Sequence, residues 1–82
     1  MRKRGDESPD GRQLEGRYAN CIEIGHNAFE FLLDFGQSYS NGEGTLFHTR
    51  IITSPSYARA FFETLRENVE KHEEIFGIIQ RE

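Results

Sequence analysis

Eighty-two residues with a formal net charge of −4, of which 35% are hydrophobic and 29% charged, leave room for one small domain. A chain of this size buries only about 60 to 65% of its unfolded surface, so a small stability margin is expected. A lone Cys21 excludes an internal disulfide, no run approaches the roughly 18 apolar residues of a membrane span, and no apolar segment follows the basic start; the expected compartment is the cytoplasm.

Residues 1–14 contain Arg2, Lys3, Arg4, Asp6, Glu7, Pro9, Asp10 and Arg12, with only Met1 and Leu14 apolar. That is too little to offset the entropy of ordering them, and a disordered arm is expected. Residues 15–82 form the expected single domain. They carry six Lys/Arg against eleven Asp/Glu, a balance of −5 that argues against a phosphate-binding surface.

Alternation at every second position predicts a first strand over Arg17 to Ile24, with Tyr18, Asn20, Ile22 and Ile24 on one side. Gly25-His26-Asn27 reads as a tight turn into a second strand, Ala28 to Phe35, which places Phe29, Phe31, Leu33 and Phe35 on one face. So short a connection makes an antiparallel hairpin. Gly36 to Gly44, with a Gly42-Glu43-Gly44 tip, is expected as a flexible loop, and Thr45 to Thr53 as a third strand.

At Ser54-Pro55 the period changes. A serine hydroxyl caps a helix start and proline suits the first helical position, where a missing N–H is no loss. Ala58, Phe61, Phe62, Leu65, Val69 and Phe76 then follow at three-and-four spacing, so the helix should run from Pro55 to about Phe76 and end at Gly77 in a left-handed cap. The fold class is α+β, a three-stranded meander followed by one long amphipathic helix. The apolar stripe is expected to cover the Phe29/Phe31/Leu33/Phe35 face. Arg59, Glu63, Arg66, Glu67, Glu70, Lys71 and Glu74 form the solvated face, with i,i+4 pairs worth about 0.2 to 0.5 kcal/mol each.

One helix shields one side of a sheet. Leu32, Leu46 and Ile52 on the other side, with Tyr57, Ile75, Ile78 and Ile79 on the helix and its end, remain as surplus apolar surface beside two open sheet edges. The expectation is a homo-oligomer, a dimer or a dimer of dimers. Asp34 and Arg50 are expected to meet on the Leu32/Ile52 side, fixing register or a subunit contact or anchoring a partner.

Sites of chemistry are sparse. His26, His48 and His72 are 22 and 24 residues apart, none with a second ligand at metal-pair spacing, and Asp34 or Glu30 beside His26 makes only a two-residue candidate. His26 is expected in the turn and His72 at the edge of the helix stripe. Cys21 lies in a strand without a Gly-rich oxyanion loop, and reads as a small buried hydrophobe rather than a nucleophile. Gly42-Glu43-Gly44 lacks the Lys of a phosphate loop. No cofactor or metal is expected.

Glu15-Gly16-Arg17-Tyr18-Ala19-Asn20, the run from Gly25 to Gly36, His48-Thr49-Arg50-Ile51-Ile52-Thr53-Ser54-Pro55 and the closing run from Glu73 to Ile79 resemble the small prokaryotic family known as domain of unknown function 3467. The resemblance covers about Gly16 to Ile79 and implies no assigned activity. A looser likeness, in the order of strands and helix and in the Arg50-to-Pro55 junction, is to the SecB export chaperones. SecB-like proteins are oligomers that hold non-native chains in apolar grooves, but they have a fourth strand and a second helix that this chain lacks.

The preferred expectation is a non-enzymatic, homo-oligomeric protein-binding module using Leu32, Asp34, Phe47, Arg50, Ile52, Ile75 and Ile78, by strand addition at an open edge or through an apolar face. A first alternative is a nucleic-acid-associated regulator using the Arg2-Lys3-Arg4 arm. A second is a metal-binding or enzyme accessory subunit built on Asp34, His26 and His48.

Overall fold

The structure, a computed structural model, describes residues 13–39 and 44–81. The strands β1 (Cys21–His26), β2 (Phe31–Ser38) and β3 (Thr45–Thr53) precede one helix, α1 (Pro55–Phe76). The strands form an antiparallel sheet in the order β1-β2-β3, which leaves β1 and β3 as its edges. This is the expected α+β fold. Of the disordered arm expected over residues 1–14, residues 1–12 lie outside the described residues, as do residues 40–43 of the expected 36–44 loop. The described residues form two compact units, 13–23 with 34–39 and 44–49, and Ile24–Leu33 with 50–81.

In the first unit β1 does not begin at Arg17. Arg17 Nη1 donates to the carbonyl of His48 at 3.3 Å, and His48 Nε2 donates to the carbonyl of Tyr18 at 2.9 Å. A carbonyl only accepts, so Nε2 is the donor in that bond, and Nδ1 lies 2.6 Å from the Thr49 hydroxyl. Asn20 instead donates its N–H to Gly36 O at 3.0 Å. Residues 17 to 20 are thus an irregular segment outside the strand, tied first to β3 and then to β2. Period-two alternation reports extended backbone and is silent about which neighbour receives its hydrogen bonds.

Gly36 is a second correction. It lies inside β2, which runs on to Ser38, and it is buried. A Cβ there would sit 2.6 Å from Leu46 O and 2.8 Å from Phe47 Cα. The glycine is present for close backbone approach, not for loop flexibility. Tyr39 N–H reaches Gly44 O at 3.3 Å and closes the β2–β3 connection.

In the second unit the hairpin turn falls later than expected. Asn27 N–H bonds Glu30 O at 3.0 Å, and Asn27 Oδ1 accepts from the N–H groups of Phe29 and Glu30 at 2.7 and 2.9 Å. The carboxamide nucleates the turn by standing in for backbone. His26 therefore ends β1, stacked on Phe31 with ring centroids 5.3 Å apart, and Phe29 projects from the turn 81% exposed.

The helix bounds are as read from the sequence. Ser54 Oγ accepts the Tyr57 N–H at 3.2 Å, with Pro55 at the first helical position. Gly77 N–H bonds Glu73 O at 2.8 Å. Its φ of 96° has the expected positive sign, but ψ of 172° is extended rather than left-handed helical, a region open only to glycine. Glu73 Oε2 then accepts the Ile79 N–H at 3.0 Å and folds the following residues against the last turn.

Candidate interaction surface

The helix stripe was expected to be core, and it is surface. No residue of α1 is buried, and Phe61, Phe62, Leu65 and Phe76 are all more than two-fifths exposed. Among the described residues the only buried hydrophobic side chain is Leu33, at 7% exposure. The helix meets the rest of its unit near its start. There Phe31, Pro55, Ala58, Arg59 and Phe62 line a shallow apolar depression, and Arg59 lies 5.4 Å over the Phe62 ring. Beyond Ala58 every helix residue is exposed except Glu73, which is part-buried.

The solvated face forms as expected. Arg59 pairs with Glu63 at 3.1 Å and Arg66 with Glu70 at 3.2 Å, all well exposed and of little energetic weight. His72 leans on Phe76 with ring centroids 4.8 Å apart, in an exposed stripe rather than at a core edge.

Of the residues singled out for binding, Ile75 and Ile78 lie together at the helix end and are 71% and 74% exposed. Ile52 on the edge strand β3 is 58% exposed, and Leu32 on the central strand is part-buried. These four belong to the second unit, as does the exposed Arg50. Asp34, part-buried, and Phe47, 38% exposed, belong to the first unit. Asp34 and Arg50 each engage a partner, so neither is a vacant charge.

Sequence reasoning assigned Phe61, Phe62, Leu65, Val69 and Phe76 to the interior and so missed them as surface. The usable signal was the strand: β2 supplies too little apolar face to cover a 22-residue helix once Phe29 has gone into the turn.

The first unit holds a second feature, a cleft lined by Glu15, Arg17, Ala19, Phe35, His48 and Thr49. Three of its polar groups bond within the chain: His48 bonds Tyr18 and Thr49, and Arg17 bonds His48. Cys21 is a free, part-buried thiol at the start of β1. Among the described residues no group of three or more His, Cys, Asp or Glu could hold a metal ion, and no helix is long and apolar enough to cross a membrane.

These features define a small α+β protein whose apolar side chains lie mostly on its surface. The family described as protein of unknown function (DUF3467) matches residues 3–81, and the chain belongs to that family. No curated protein and no solved structure matches the chain.

Proposed function

We propose that this protein is a non-enzymatic, homo-oligomeric module that assembles through its helix and binds protein partners through its sheet, acting in the cytoplasm. One observation carries the reading: a 22-residue amphipathic helix with no buried residue. Fully burying a Leu or Phe side chain contributes about 1.5 to 3 kcal/mol, and this helix leaves four such residues, Phe61, Phe62, Leu65 and Phe76, between 43% and 73% exposed. A second copy supplies the missing layer. Edge strands β1 and β3 offer unpaired backbone groups, and Ile52 and Phe47 on β3 offer apolar contacts, which favours strand addition by an extended, chaperone-like client. The free Cys21 suits a reducing compartment.

Light scattering at micromolar concentration tests the assembly, and a strictly monomeric mass overturns it. Fluorescence anisotropy with a permanently unfolded, labelled protein tests the second half. Binding that Ile52→Asp weakens supports edge capture, and absence of binding at about 100 μM removes the client-holding role.

A further inference from the structure

We infer that two copies of the chain associate through their α1 helices packed antiparallel, with Ala58 of one helix against Phe76 of the other. The inference deepens the homo-oligomeric reading and rests on it.

The helix carries one seam of mostly apolar residues along its length. Ala58, Phe62, Leu65, Val69, His72 and Phe76 follow one another at spacings of four, three, four, three and four, the a/d pattern of a coiled coil over three heptads. The five steps span 18 residues and keep the six side chains on one face of the helix. Among the described residues nothing fully buries that seam: Ala58 is part-buried beside Phe31, while Phe62, Leu65, Val69 and Phe76 are 49%, 50%, 37% and 73% exposed.

Direction follows from size and charge. In an antiparallel pair the seam forms symmetric layers: Ala58 against Phe76, Phe62 against His72, and Leu65 against Val69. The smallest seam residue then meets a phenylalanine at both ends, so each layer interdigitates. A parallel pair sets every seam residue against itself, leaving a gap at Ala58 and crowding Phe62 and Phe76 against their copies. The flanks agree. Arg59, bonded to Glu63 of its own helix at 3.1 Å, lies toward Glu73 of the other helix, whose carboxylate accepts the Ile79 N–H of its own chain, and Phe61 on the other side faces Ile75, extending the apolar contact to two residues that are 43% and 71% exposed.

The helix is also charged against its own dipole. It has no acidic residue in its first turn and no basic residue in its last, and it ends in Glu73 and Glu74 beside the negative C-terminal carbonyls. A parallel partner doubles that negative end. An antiparallel partner brings its positive N-terminus and Arg59 alongside. At the centre, where Arg66 approaches its copy, each guanidinium is already bonded to Glu70 of its own helix at 3.2 Å.

The test uses the full chain on a Cys21→Ser background with a spin label at Ser56→Cys, outside the seam. The antiparallel pair places the two labels about 33 Å apart along the axis, whereas a parallel pair places them within about 20 Å. Leu65→Asp, in the central layer, is expected to raise the dimer dissociation constant at least tenfold. A long label distance with loss of dimer in Leu65→Asp is the result expected. A short distance overturns the antiparallel arrangement while leaving the assembly reading standing. A dimer indifferent to Leu65→Asp overturns the helix seam and moves the contact to the sheet. A monomer overturns both readings.

Discussion

Asn20 holds both backbone polar groups of Ser38: its Oδ1 accepts the Ser38 N–H at 2.8 Å and its Nδ2 donates to the Ser38 carbonyl at 3.2 Å. A carboxamide offers the same donor and acceptor as a peptide unit, so one side chain extends the pairing of β2 where no strand residue does. Asn20→Leu removes both bonds and is expected to destabilise the fold by about 1 to 2 kcal/mol, at the lower end because the site is exposed. Asn20→Asp keeps the acceptor alone and should fall between. Urea denaturation reads the loss, and faster exchange of the Ser38 amide places it.

Gly36→Ala forces a methyl group into the backbone of Leu46 and Phe47, and is expected to cost about 1 to 3 kcal/mol. Gly25 in β1 is the matched comparison, since a Cβ there meets nothing within 4 Å. Gly25→Ala should change stability by less than about 0.5 kcal/mol or raise it slightly. Equal losses at the two positions would refute the close-approach explanation.

Ser54→Ala deprives the Tyr57 amide of its cap and is expected to cost about 0.5 to 2 kcal/mol, with Ser54→Asp retaining most of the stability. Far-ultraviolet circular dichroism through a thermal melt reads this directly, because nearly all the helical signal comes from α1.

Gly77→Ala places a Cβ where φ is 96° and ψ is 172°, at an expected cost of about 1 to 3 kcal/mol. The strain falls on the turn that brings Ile79 to Glu73. Protection of the Ile79 amide against hydrogen exchange should drop with it, whereas a fall in global stability alone would argue against a local effect.

Glu63→Gln breaks the exposed Arg59 pair and is expected to change stability by less than about 0.5 kcal/mol. A larger loss in the melting transition would mean that the pair is desolvated by a neighbour.

Much of this was legible along the chain. Thr45–Thr53 and Pro55–Phe76 begin and end where the pattern placed them, because Ser54, Pro55 and Gly77 are local devices that act through their own backbone. The β1–β2 hairpin shifted by several residues because Asn27 could bond forward to Phe29 and Glu30, and the Gly25-His26-Asn27 reading gave the turn to the wrong residues. Gly36 looked like punctuation, since a glycine demanded by close approach and one demanded by flexibility are identical in a sequence.

The amino-acid order by itself determined the class of fold, the bounds of β3 and the helix, and the family, because periodicity and capping are properties of neighbouring residues. Only the tertiary structure decided which apolar residues are buried. Burial depends on whether a second layer lies within reach, and among the described residues Phe61, Phe62, Leu65 and Phe76 find only partial cover. A stripe that faces its own sheet and a stripe that faces another molecule are written with the same spacing. Their difference appears only when the surface is laid out in space.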